Sequence, residues 1–112
     1  MKFEKNMYIR TMDGISKIIE IRKAESMTRV VDDYGNIYFV DDLIGEPSYD
    51  IIDLVQIGDY VNGYRVDEIH GGQLSNFSRY DGRLVNIVSC DNNIERIVTK
   101  EQFENVEYEV VE

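Results

Sequence analysis

Short runs of alternating apolar and polar residues, interrupted by Gly, Asn and Asp at roughly 8 to 12 residue intervals, predict β-strands and tight turns along most of the chain. Residues 7–11 (Met-Tyr-Ile-Arg-Thr) and 15–21 (Ile-Ser-Lys-Ile-Ile-Glu-Ile) are β-formers on either side of Asp13-Gly14, which predicts a hairpin. Residues 28–32 and 37–40 flank Asp33-Tyr34-Gly35-Asn36, where Gly or Asn takes the positive φ of a tight reversal, and these form a second hairpin. The only proline, Pro47, lies in Gly45-Glu46-Pro47-Ser48, a loop expected to cross from one part of the sheet to another. Residues 50–57 carry apolar side chains at 51, 52, 54, 55 and 57, a pattern that suits a short buried strand or a helical turn, and an extended segment is expected.

Asn62-Gly63, set between the β-formers of residues 58–66, is the strongest short-range hairpin signal in the chain. Gly71-Gly72 ends that unit, and residues 75–80 lead through Asp81-Gly82 into 84–88, a further β pair. Residues 94–98 read as another strand. Thr99-Lys100-Glu101-Gln102 then has the Thr-x-x-Gln spacing of a capping box, so one short helix is expected over residues 100–104. From Val106 to Val110 alternation resumes, with Val106, Tyr108 and Val110 facing one way and Glu107 and Glu109 the other. The fold expected is all-β and mainly antiparallel, a small SH3-like barrel or sandwich with one short helix near the C-terminus.

At 112 residues the length predicts a single β-rich domain over residues 1–112. No stretch approaches the roughly 18 apolar residues of a bilayer helix, and Met1-Lys2-Phe3-Glu4-Lys5 is not the apolar segment of a secretory signal. A cytoplasmic location follows as the expectation, with no membrane partner. The net charge is −10 and unevenly placed: residues 1–31 stand at +3, residues 32–68 at −9 and residues 69–112 at −4. An acidic surface repels phosphate backbones, so direct nucleic-acid binding is not expected. The alternative use of the same carboxylates is to keep a small domain soluble.

The opening Met7-Tyr8-Ile9-Arg10-Thr11-Met12-Asp13-Gly14-Ile15-Ser16-Lys17-Ile18 resembles the first hairpin of small KOW-type or SH3-like barrels. Together with residues 50–66 and with Val98-Thr99-Lys100-Glu101-Gln102-Phe103-Glu104, it resembles small, largely uncharacterised accessory proteins of phages and prophages of Gram-positive bacteria. The resemblance implies a mobile-element protein with a small-barrel fold and carries no chemistry with it. KOW domains often have basic nucleic-acid-facing surfaces, and the acidic middle block departs from that pattern.

Catalytic chemistry finds no foothold in the sequence: Gly-x-Ser-x-Gly, the protease Cys signatures and the Gly-rich phosphate loops are all absent. His70 reads as a strand-end residue, and Cys90, the sole cysteine, as a partly buried one. No cofactor is expected. Asp32-Asp33 and Asp41-Asp42 bracket the second hairpin, where cross-strand pairing would bring carboxylates together for a hard cation, yet the EF-hand order is missing and no metal is expected. Tyrosine is more informative, with Tyr34, Tyr38, Tyr49, Tyr60 and Tyr64 all inside the acidic block. Aromatic rings give rigid contact area while carboxylates answer Arg or Lys on a partner. The candidate partner-binding residues are Asp32, Asp33, Tyr34, Tyr38, Asp41, Asp42, Tyr60 and Tyr64; ordinary half-buried strand tyrosines are the alternative.

Three functional readings follow. The leading one is a non-enzymatic acidic binding protein, a counter-defence inhibitor of anti-CRISPR type that docks on a basic surface of a nucleic-acid-handling protein. A second is a homo-oligomer that sequesters a nucleotide signal through Arg10, Lys17, Arg22, Lys23 or Arg29. An enzyme without a recognised motif ranks last.

Overall fold

The computed structural model describes residues 2–71, 73–77, 84–86 and 94–104. Its order is β1 (Tyr8–Thr11), β2 (Gly14–Ala24), β3 (Met27–Asp32), β4 (Ile37–Phe39), β5 (Tyr60–Val61), β6 (Tyr64–Arg65), β7 (Glu68–His70), β8 (Gln73–Phe77), β9 (Leu84–Asn86) and β10 (Ile97–Val98). One short helix, α1, covers residues 100–104. Among the described residues every strand pairing is antiparallel, and the fold is all-β with a short helix near the C-terminus. The chain divides into two compact units, Met1–Leu54 and Val55–Glu112.

In the first unit the sheet runs β1-β2-β3-β4 and curls into a half barrel. The predicted hairpin at Asp13-Gly14 forms, with Met12 and Asp13 as its turn and Gly14 opening β2 at a φ of 119°. β2 runs longer than the expected 15–21 and reverses at Glu25-Ser26, a turn with no Gly or Asn to announce it, where Glu25 takes a φ of 31°. In a plain strand Ile18 and Ile21 face opposite sides, because side chains alternate. The register shift between Ile18 and Glu20 takes up one residue, so both pack into the core while Ile19 is left exposed. That core is Ile9, Ile18 and Val30, with Phe3, Met7, Tyr38, Val40 and Leu43 against it. Fully burying one such aliphatic side chain contributes about 1.5–3 kcal/mol.

The Pro47 loop makes its expected crossing. It leaves the β4 edge and returns beside β1, where Tyr8 and Ser48 exchange both backbone hydrogen bonds, at 2.6 and 3.1 Å. The Ile44 N–H likewise reaches the Arg10 carbonyl at 2.8 Å. Residues 50–57 are not extended as expected: Ile51–Leu54 form a 3-10 turn. Ser48 accounts for the difference, since its hydroxyl donates to Asp53 Oδ2 at 2.7 Å and accepts the Asp50 N–H at 3.1 Å, which coils the chain locally.

In the second unit one sheet has the order β10-β5-β6 and another β7-β8-β9. Asn62 and Gly63 form the predicted tight turn, both with positive φ, 52° and 87°. Gly71, also at positive φ, follows β7 at the reversal into β8, which opens at Gln73. β8 pairs with β9 as expected, while the intervening Asp81-Gly82 lies outside the described residues, as do Cys90 and the alternating run 106–110. Only Ile97 and Val98 of the expected strand 94–98 join the ladder. The amides of Glu95 and Arg96 are instead taken by the Asn62 side-chain oxygen, at 2.8 and 3.1 Å. Val55, Val61, Val66 and Leu74 are buried.

Candidate functional site

Antiparallel strands joined by short turns return alternate turns to the same end of a sheet. The β1–β2 turn with Asp13 and the β3–β4 turn with Asp32, Asp33 and Tyr34 therefore share one end of the first unit. Asp32 is 1% exposed, and its Oδ1 accepts the backbone N–H groups of Tyr34 at 3.1 Å and Asn36 at 2.8 Å. A carboxylate bonded to amides two and four residues on is the standard anchor of an Asx-type turn. Gly35 completes the reversal at a φ of 85°. Asp33 is exposed, yet it too is anchored: its Oδ1 accepts the Lys17 N–H at 3.0 Å, and its own N–H donates to the Lys17 carbonyl at 2.9 Å. On this doubly fixed turn Tyr34 projects with 77% of its surface exposed.

Tyr38 is half-buried, and its hydroxyl donates to Asp13 Oδ2 at 3.0 Å. Burial raises its pKa above the ordinary tyrosine value, and the Asp13 carboxylate adds to the effect. The same end thus holds Asp13, Asp33 and Tyr34 at the surface, with the Tyr38 hydroxyl bonded to Asp13.

The remaining candidates lie elsewhere. Asp41 and Asp42 are exposed on the 3-10 turn Val40–Asp42, beyond the Arg29–Phe39 pair that closes the ladder opposite the Asp32 turn. The length of β4 separates the two acidic pairs by more than about 7 Å at 3.4 Å per residue, so pairing does not bring these carboxylates together. Among the described residues no group of three or more His, Cys, Asp and Glu is placed to hold a metal ion. Tyr60 and Tyr64 belong to the second unit, where Tyr64 is exposed and the Tyr60 ring packs against Phe103 with centroids 4.5 Å apart. His70 is exposed at the end of β7, bonded to Glu68 on its own strand.

The basic residues of the N-terminal third are dispersed in the same way. Arg10 is 1% exposed and donates to the Leu54 carbonyl at 2.9 Å. Lys17 sits 5.2 Å from the centre of the Tyr8 ring, and Arg22 pairs with Glu20 at 3.2 Å. Lys23 is exposed, and Arg29 lines an open cleft with Met27 and Phe39.

Two positions that the structure brings forward escape the sequence reading. Asp13 is visible there only as half of an Asp-Gly turn, although counting reversals in a four-strand meander places it at the Tyr34 end. Asp59, fully buried in the second unit, accepts the Gln56 N–H at 2.7 Å and the Lys100 N–H at 2.9 Å, an anchoring role that its acidic neighbours obscure in the sequence. Among the described residues no helix is long and apolar enough to cross a membrane. Comparison with family models, with curated proteins and with solved structures finds no match to this chain.

Proposed function

We propose that this chain is a non-enzymatic binding protein that docks on a basic surface of a nucleic-acid-handling protein through the Asp13, Asp33 and Tyr34 end of its first unit. The observation that carries the reading is Tyr34, an exposed ring held on a turn that Asp32 and Asp33 fix by four hydrogen bonds. A ring presented on a rigid turn loses little conformational entropy on binding, and carboxylates beside it steer a cationic partner into place. Asp41 and Asp42, at the far end of the hairpin, add to long-range attraction instead of forming part of the contact. The resemblance of three sequence stretches to phage and prophage accessory proteins supports the narrower reading of a counter-defence inhibitor acting in a bacterial host. The dispersed arginines and lysines favour this reading over a nucleotide-sequestering oligomer.

The test is affinity capture from a Gram-positive host, followed by binding kinetics with the captured protein. Asp13→Asn with Asp33→Asn is expected to slow association and flatten its salt dependence, since exposed charges are screened beyond about 8 Å at 0.15 M ionic strength. Tyr34→Ala is expected to accelerate dissociation. Parental kinetics in both variants, at every salt concentration, overturn the proposal.

A further inference from the structure

The second unit holds an open cleft of about 360 Å³ lined by Tyr60, Gly63, Arg96, Val98 and Phe103. Its walls are fixed from both sides. On one side, Asn62 locks the tight turn to residues 95–96 through the two bonds to its side-chain oxygen and a third from its own N–H to the Arg96 carbonyl at 2.8 Å. On the other, α1 is tied down at its first residue by Asp59, and its capping box is closed: the Gln102 N–H donates to Thr99 Oγ1 at 3.3 Å and the Thr99 N–H to Gln102 Oε1 at 2.8 Å.

The floor between these walls is apolar. Val98 stands directly opposite Tyr60 in the ladder, so both project from one face, and the Tyr60 and Phe103 rings meet at a tilt of 37°. Phe103 nevertheless keeps 40% of its surface exposed. Gly63 has open space where a Cβ would stand, which leaves room at the turn for a flat group to approach the backbone. Arg96 is exposed at the margin, and among the described residues its guanidinium pairs with no carboxylate.

We propose that this cleft binds a small aromatic monoanion, a flat ring stacked on Phe103 and Tyr60 with its carboxylate on Arg96. An open aromatic floor selects a flat ring, since rings prefer offset or tilted stacking at centroid distances of about 4.5–7 Å. A guanidinium matches one carboxylate bidentately. Glu95, Glu101 and Glu104 lie in the adjoining segments of a chain of net charge −10, a field that disfavours the second negative charge of a phosphate monoester. The cleft falls within the range of about 300–1,000 Å³ usual for small-molecule sites. The site is built from the second unit alone and does not depend on the function proposed for the first.

The experiment is amide NMR titration of the full chain with indole-3-acetate, with indole, with acetate and with adenosine monophosphate. Indole-3-acetate is expected to give saturable shifts at Tyr60, Gly63, Arg96 and Phe103, with the other three probes binding at least about five-fold more weakly, which corresponds to roughly 1 kcal/mol. Arg96→Gln is expected to weaken indole-3-acetate about five-fold and to leave indole unchanged, while Phe103→Ala weakens both. Arg96 is exposed, so its variant reports on binding without disturbing the fold, and unchanged amide shifts in β7 and β8 verify this. Any of four results overturns the proposal: no saturable shifts, adenosine monophosphate or indole binding as tightly as indole-3-acetate, shifts located away from the cleft, or an Arg96→Gln variant with parental affinity.

Discussion

Replacing Asp32 with Ala tests whether the most buried carboxylate of the first unit's acidic turn is a structural anchor. The side chain accepts two backbone N–H groups in the turn that carries Tyr34. A hydrogen bond to a charged group contributes about 1.5–3 kcal/mol net, so two of them bound the loss at roughly 3–6 kcal/mol. The turn around them is only partly buried, and water re-solvates the freed amides, which brings the expected destabilisation of Asp32→Ala to about 2–4 kcal/mol. Asp32→Asn keeps an acceptor oxygen and loses the charge, for an expected cost of about 1 kcal/mol. Asp33→Asn, one residue on and exposed, is expected to stay within about 0.5 kcal/mol of the parent. Urea unfolding at neutral pH gives the three values, and the slope must remain constant for the comparison to hold. An Asp32→Ala variant within about 0.5 kcal/mol of the parent refutes the anchor and returns Asp32 to the class of solubilising charges.

Thr99→Ala opens the capping box of α1 and is expected to cost about 1 kcal/mol in the same urea assay; no change would mean the cap adds nothing in place. Gly63→Ala meets open space but forces a side chain to a φ of 87°, so a loss of about 1 kcal/mol or more is expected from backbone strain alone, and an unchanged midpoint contradicts it. Burial raises the Tyr38 pKa, so the stability held by its neutral phenol is complete below the ordinary value of about 10 and is lost as pH rises through the higher folded value. Urea midpoints between pH 8 and about 11.5 are therefore expected to fall less steeply in Tyr38→Phe than in the parent, and parallel curves refute the assignment. The Tyr49 hydroxyl holds the Glu4 carboxyl below its ordinary 4.5, so Tyr49→Phe is expected to raise the Glu4 titration midpoint measured by NMR.

The turns legible in the sequence are those whose backbone demands a particular residue. Asp13-Gly14, Gly35 and Asn62-Gly63 all fall where a positive φ is needed, and each marks a reversal in the structure. The Glu25-Ser26 reversal is silent because Glu25 holds a φ of 31° without Gly or Asn. Residues 50–57 mislead for a different reason: apolar spacing reports burial and not backbone shape, and the Ser48 hydroxyl decides for the 3-10 turn. Thr99-x-x-Gln102 is readable because the capping box encodes both partners in one local spacing. Of the eight candidate site residues, Asp33 and Tyr34 are divided from Asp41 and Asp42 by the expected hairpin itself, with its turn at 33–36 and its second strand at 37–40, a consequence that composition and charge alone do not show.

The charge of residues 32–68 overstates the charge a partner can meet. Asp32 and Asp59 are buried against backbone amides, and Asp33 accepts one as well. Asp53 is bonded to the Ser48 hydroxyl, and Asp67 takes Arg65 at 2.7 Å and the Asn76 amide at 3.1 Å. Very short strands leave many N–H groups outside the ladders, and each needs an acceptor where the chain turns. Carboxylates two to four residues from a reversal meet that need without a helix or a long sheet to do it. The same residues that make the middle of the chain so acidic therefore hold its turns in place. What stays exposed is narrower than the block of ten acids: Asp33 beside Tyr34 at one end of the β3–β4 hairpin, Asp41 with Asp42 at the other, and Glu46, Asp50 and Asp53 in the segment that follows.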